Sequence, residues 1–105
     1  MRPIHIARLD KARPVLVLTR AIAAERMRSV TVAPVTSRVR GLSTELPLGP
    51  ANGVQGDCVV SLDSIRTIPT EDLGRQIGWL FDAQEPALAR AIILAFDLDL
   101  PLPAG

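Results

Sequence analysis

Apolar positions along this chain fall in short runs broken by turn residues, a pattern of successive short strands. Residues 4–9 read as a first strand, with His5 on the opposite face from Ile4 and Ile6. Residues 14–19, Pro-Val-Leu-Val-Leu-Thr, are apolar on both faces, which predicts a central strand covered on both sides. Pro14 lacks a ladder donor and is placed at that strand's first position. Residues 21–28 favour helix but are too few to hold one alone, and read as a helical turn or loop. Residues 30–36 are a β-branched third strand, in which Pro34 predicts an edge or a bulge.

A polar loop with Gly41 spans residues 38–44, and residues 45–48 make a short strand. Gly49-Pro50-Ala51-Asn52-Gly53 is dense in turn formers and opens a loop that ends near Gly56. Strands follow at 58–62 and 64–68, with a tight break at Asp63. Residues 69–73 suit a short 3₁₀ turn, and residues 76–81 suit either a last strand or part of a helix. The clearest helix begins at Asp82 as cap, with Glu85 three residues on as in a capping box and Pro86 tolerated in the first turn. Leu88, Ala91, Ile92, Ala95 and Phe96 form its apolar stripe, and Pro101 and Pro103 end regular structure. Five to seven strands and one C-terminal helix predict a mainly β fold, a small barrel with the helix laid over it.

Composition narrows the chemistry. The 105 residues suit one domain over 1–105, and 48% hydrophobic with 22% charged residues is a globular balance. Trp79, Phe81 and Phe96 are the only aromatics, so the core is aliphatic. A single cysteine, Cys58, excludes an intramolecular disulfide and a Cys-rich zinc site. A single histidine, His5, excludes any mechanism that needs two from one chain and argues against catalytic zinc. The N-terminus lacks a signal-like apolar stretch and the longest apolar run, residues 91–96, is too short to span a bilayer. A cytoplasmic protein is expected.

The net charge of +1 conceals an asymmetry. Residues 1–40 hold nine basic and two acidic groups, and residues 41–105 hold three basic and nine acidic ones. All but one of the cations are arginine, whose planar fork suits phosphate. Either a basic face awaits a polyanion, or the two halves neutralise each other in the fold.

No phosphate-cradling glycine loop, metalloprotease helix or nucleophile elbow is present. Arg13 precedes the central strand, where it is either a phosphate clamp or a solvated flanking charge. Thr36-Ser37-Arg38 sets two hydroxyls and a cation at a strand end, for phosphate contact or for capping. Asp63 is either a base or a turn former. Cys58 reads as an inert half-buried thiol, His5 as solvent-facing or hydrogen-bonded, and the helix stripe as core or dimer surface.

Three ordered blocks sharpen these signals. They are Arg13-Pro14-Val15-Leu16-Val17-Leu18-Thr19, then Val32-Ala33-Pro34-Val35-Thr36-Ser37, then Val60-Ser61-Leu62-Asp63-Ser64-Ile65-Arg66-Thr67-Ile68. Together with the C-terminal helix, this set resembles the MazF/PemK/Kid family of bacterial toxin endoribonucleases over about residues 4–99, most of all a short mycobacterial-type branch opening M-R-P-I-H-I-A.

The resemblance implies an SH3-like barrel, a homodimer, an antitoxin partner with an acidic disordered tail, and cleavage of single-stranded RNA with no metal or cofactor. Attack by the ribose 2′-OH would leave a 2′,3′-cyclic phosphate and a 5′-OH. By carry-over, Arg13 stabilises phosphorane charge and can protonate the leaving oxygen, Thr36 orients the scissile phosphate, and Asp63 takes the 2′-OH proton. Ser37 matches an adjacent polar contact, and Arg38, Arg40 and Arg66 are expected to bind the RNA backbone, with strong salt dependence. Two departures stand out: Asp10-Lys11-Ala12 replaces a longer substrate-holding loop, and Ser61 stands where the Kid branch has a second arginine. The same fold also serves CcdB-type gyrase poisons, but these rely on a tryptophan-containing tail, and this chain ends Leu100-Pro101-Leu102-Pro103-Ala104-Gly105. An inactive interaction barrel is a further alternative.

Overall fold

The computed structural model describes residues 1–20 and 26–102 of the chain. The helical turn expected at 21–28 falls largely on residues outside that set. Seven strands and one α-helix follow in order among the described residues: β1 (Arg2–Arg8), β2 (Ala12–Val17), β3 (Ser29–Thr36), β4 (Glu45–Leu48), β5 (Cys58–Ser61), β6 (Arg66–Pro69), β7 (Leu73–Leu80) and α1 (Glu85–Ala95). The sheet runs β4-β5-β3-β2-β1-β7, with β6 also on β3, and every pairing is antiparallel. It curls into a half-barrel closed at one side by α1, as the strand and helix pattern predicts. The ambiguous stretch at 76–81 belongs to strand β7.

β3 is the pivot of this curl. Its first half pairs with β6 through Ser29–Val32, and its end pairs with β5 through Val35 and Thr36. Pro34 falls between these two ladders, so its missing N–H lies where the strand changes partner. The expectation that Pro34 marks an edge is therefore corrected: β3 is interior. Pro14 is likewise not the first residue of its strand but the third. It lies beyond the last β2–β3 pair, Val15 with Pro34, so the absent donor breaks no bond to β3.

The side chains of β2 divide between two cores. Leu16 joins Ile4, Ala33, Val60, Leu80 and Leu88 on one face, and Val15 and Val17 join Val30, Val32 and Ile68 on the other. This is the double coverage that an all-apolar strand requires. Each fully buried aliphatic side chain contributes roughly 1.5–3 kcal/mol. α1 seals the first core with Leu88 and Ala91, while Ile92 and Ala95 pack at its margin. Phe96 departs from the expected stripe: it follows the last helical turn and is 55% exposed.

The helix entry also differs from the capping-box expectation. A 3₁₀ turn at Asp82–Gln84 precedes α1, and Gln84 Oε1 accepts the Phe81 N–H at 2.9 Å. Asp82 instead binds the N-terminal ammonium of Met1 at 2.6 Å. Glu85 binds the Arg2 guanidinium, whose Nη1 also donates to the Leu18 carbonyl at 2.8 Å. A long-range ion pair has taken the carboxylate that a local cap would have used.

The loop after β4 is pinned to β7. Asn52, buried in a 3₁₀ turn at Pro50–Asn52, donates from Nδ2 to the Trp79 carbonyl at 2.9 Å and to Gln84 Oε1 at 2.8 Å. Gly53 has φ +89°, and a Cβ there or at Gly78 would strike the facing backbone. Two glycines thus let loop and strand touch directly.

Candidate active site

At the open ends of β2 and β3 lies a cleft of about 750 Å³. All seven residues singled out in the sequence line it: Arg13, Thr36, Ser37, Arg38, Arg40, Asp63 and Arg66. Antiparallel register explains the first two. Val15 pairs with Pro34 as the last pair of that ladder; Arg13 lies two residues before the one and Thr36 two after the other, so both emerge at the same end of the two strands and line the cleft. Asp63 enters from a 3₁₀ turn at Leu62–Ser64 that connects β5 to β6.

Arg13 is held by the short connection before β2. Its Nε donates to Asp10 Oδ1 at 2.9 Å and its Nη2 to Asp10 Oδ2 at 3.2 Å. The hydrogen bond from Arg13 lowers the Asp10 carboxyl to about 2, and the same bond raises Arg13 further above its ordinary value. The guanidinium is therefore a fixed cation at any ordinary pH. Asp10 escaped the sequence reading because the connection was noted for its shortness; the Asp-x-x-Arg spacing across a tight turn is the signal that points to it.

Thr36 shows the capping role of its two sequence readings. Its Oγ1 accepts the backbone N–H of Arg38 at 3.1 Å, which caps the strand end. The hydroxyl proton is left for an oxygen in the cleft. Asp63 Oδ2 accepts from Thr44 Oγ1 at 2.5 Å, which orients the carboxylate without neutralising it. Ser61 lies nearby, its Oγ donating to Ser64 Oγ at 3.3 Å, so no second arginine supports Asp63 at that point.

Arg38 and Arg40 ride on the loop between β3 and β4. Glu45, at the start of β4, folds that loop back: its carboxylate accepts from the backbone N–H of Arg40 at 3.2 and 3.3 Å and from Leu42 at 3.0 Å. Sequence reading missed this residue, since an acid opening a strand carries no signal of the loop it will gather. The guanidinium groups of Arg38, Arg40 and Arg66 have no hydrogen-bond or ionic partner among the described residues. The cleft's carboxylates, by contrast, are each engaged, by Arg13, Thr44 or backbone N–H. The lining thus offers partnerless cations to a polyanion, and the two charge halves of the chain do not cancel here.

Neither remaining candidate belongs to this cleft. His5 Nδ1 donates to the Gly74 carbonyl at 2.8 Å, on the β1–β7 side of the sheet. Cys58 is buried, and burial together with the nearby Asp57 pushes its thiol up, away from thiolate chemistry. No group of three or more His, Cys, Asp or Glu side chains among the described residues is placed to hold a metal ion.

Known proteins share this fold. A profile of the PemK-like, MazF-like toxins of type II toxin–antitoxin systems matches residues 5–96. The chain is 62% identical over 99 residues to the Endoribonuclease MazF3 of Mycobacterium tuberculosis, covering 94% of this chain and 96% of that one. The solved structure of the Mycobacterium tuberculosis toxin MazF-mt6 superposes with a TM-score of 0.93 at 61% identity, over 94% of this chain and 100% of that one. The MazE–MazF structure (Form-III) from Deinococcus radiodurans superposes with a TM-score of 0.72 at 25% identity, over 90% of this chain and 94% of that one. With the fold, the profile and the 62% identical relative in agreement, the chain belongs to the family of PemK-like, MazF-like toxins of type II toxin–antitoxin systems.

Proposed function

We propose that this toxin endoribonuclease cuts single-stranded RNA by intramolecular transesterification in the cleft around Arg13. The observation that carries the reading is that a guanidinium held by Asp10 and a strand-end hydroxyl line the same cleft. A phosphodiester set between them would meet a hydrogen-bond donor from Thr36 and a fork of N–H groups from Arg13. As the ribose 2′-oxygen attacks phosphorus, negative charge builds on the non-bridging oxygens, and a fixed cation stabilises that state more than the ground state.

Asp63 takes the proton of the 2′-OH. The bond from the 2′-oxygen to phosphorus forms as the bond to the 5′-oxygen breaks, leaving a 2′,3′-cyclic phosphate and a 5′-OH. Arg13 acts as charge rather than as acid, because its partner Asp10 makes its proton harder to release. The leaving 5′-oxygen takes its proton from water. Ser37 adds a hydroxyl beside the phosphate, and Arg38, Arg40 and Arg66 track the neighbouring backbone. The charge stabilisation comes from the protein, so the reaction proceeds in chelator.

The solved MazE–MazF structure supports an antitoxin partner for this chain as well. An acidic, disordered tail laid along the free arginines would cover Arg13 and Thr36 and fold as it binds. A homodimer is supported by what one chain leaves uncovered: β4 and β7 are the two ends of the sheet order, and Trp79 on β7 is 41% exposed. RNA and an antitoxin as partners support a cytoplasmic location.

The test is to incubate the pure protein with a long single-stranded RNA in excess EDTA and map the new ends, with Arg13→Ala in parallel. Discrete cuts with 5′-OH ends that vanish in the variant support the mechanism. Absence of cuts, or equal cutting by both proteins, would overturn it.

A further inference from the structure

A second cavity, of about 370 Å³, lies beside the catalytic cleft and shares Thr36 and Ser37 with it. Its volume falls within the range of small-ligand sites, roughly 300–1,000 Å³. Its character differs from that of the first. Ile6 and its partner Pro14, with Val35, Val54 and Ile77, make the apolar part of its lining. Besides the shared Thr36 and Ser37 and the Cys58 thiol, two further polar side chains line it, Gln55 and Arg75. Neither side chain has a hydrogen-bond or ionic partner among the described residues.

The slot is built on rigid supports. Gln55 and Val54 sit on the loop that Asn52 and the Gly53–Gly78 contact fasten to β7. Arg75 and Ile77 belong to β7 itself. Arg13 and Pro14 are neighbours on β2, with Arg13 lining the cationic cleft and Pro14 lining the slot. An RNA strand whose phosphate rests on Arg13 and Thr36 therefore has a second cavity with two unpaired polar side chains directly beside it.

We propose that this slot is a nucleobase-specificity site, in which Arg75 and Gln55 read the hydrogen-bonding edge of one base flanking the scissile phosphate while Pro14 and Ile77 pack on its faces. The proposal rests on the endoribonuclease reading above. A partly apolar slot suits a base, and a phosphate is better served by the three free arginines of the neighbouring cleft. Arginine donors favour a base that presents acceptor atoms at that edge. With only three aromatic residues in the chain, base stacking on rings is scarce, so apolar packing and edge hydrogen bonds carry the discrimination here.

The experiment compares cut maps of the intact protein and of Arg75→Ala and Gln55→Ala on a randomised RNA pool, read by sequencing the 5′-OH ends. The expected result is retained cutting with relaxed preference at a single position next to the cut, discrimination there falling about ten-fold. An unchanged motif in both variants would overturn the proposal. So would a uniform loss at all sequences with a shallower salt dependence in Arg75→Ala, which marks a phosphate contact. If the unaltered protein makes no cuts, the endoribonuclease mechanism fails and takes the slot's role with it; if it cuts and only the variants' maps stay unchanged, the slot alone fails.

Discussion

Asp10 meets Arg13 with both carboxylate oxygens, Oδ1 on Nε at 2.9 Å and Oδ2 on Nη2 at 3.2 Å, across the three-residue step between β1 and β2. This fork leaves the remaining guanidinium N–H groups turned to the cleft, so Asp10 is a positioning residue for Arg13. Arg13→Ala should lower cleavage by about a hundred- to a thousand-fold, the scale for a lost transition-state charge donor. Asp10→Ala should lower kcat less, about ten-fold, with little change in KM, because the cation remains but wanders. Arg13→Lys, which keeps charge without the fork, should fall between them. Single-turnover cleavage of a short RNA measures all three.

The same pair sets a pH expectation. Asp10 is held at about 2, below the ordinary carboxylate range, so the ion pair is complete above the unfolded value and is lost as pH falls through the folded one. Between pH 5 and pH 8, roughly the interval in which such an assay runs, Asp10 contributes no slope. Titration of the Asp10 carboxyl carbon by NMR should show the depressed midpoint, and Arg13→Ala should move it upward toward the ordinary value.

Thr36 separates hydroxyl chemistry from strand capping. Thr36→Ser keeps both the acceptor for the Arg38 N–H and the proton for phosphate, and should retain most activity. Thr36→Val removes both and should lower cleavage about ten-fold or more, the loss of one hydrogen bond to a charged group costing about 1.5–3 kcal/mol. A thermal melt within a few degrees of the parent would assign the loss to the site.

The free arginines predict a salt signature. Each phosphate contact on single-stranded RNA contributes a slope of about 0.7 in log affinity against log salt. Removing Arg38, Arg40 or Arg66 singly should weaken binding at low salt and flatten that slope by about one such increment. Filter binding across salt concentrations, with cleavage blocked by Arg13→Ala, reads this directly.

Asn52 carries a stability expectation. Its side chain joins the Trp79 carbonyl and Gln84, and the Gly49 N–H donates to its Oδ1 at 3.2 Å. Asn52→Ala takes this partner from the Trp79 carbonyl and the Gly49 N–H, while Gln84 Oε1 keeps the Phe81 N–H, at a cost of about 1–3 kcal/mol. Denaturant unfolding should show a lower midpoint with unchanged slope.

Much of the architecture was legible because it is local. The alternating and doubly apolar runs at 4–9 and 14–19 and the tight break at Asp63 each follow from residue type and spacing, and each appears within a few residues of its expected place. The prolines misled for a physical reason. A missing donor excludes a residue from a ladder only if a partner faces it, and whether one does is decided by strand order. Pro34 is tolerated inside the sheet because β3 passes from β6 to β5 there.

The sequence by itself determined which residue types bear the chemistry: one histidine, one cysteine, an arginine-rich first half, and the ordered blocks holding Arg13, Thr36 and Asp63. These are properties of composition and short-range order. Only the tertiary structure decided that Asp10 grips Arg13, that Glu45 gathers the arginine loop, that Asp82 and Glu85 serve the N-terminus and Arg2 instead of the helix cap, and that a slot opens beside Thr36. Each such choice is a competition for one carboxylate or one patch of apolar surface. The winner is the partner that the curl of the sheet brings within hydrogen-bond reach.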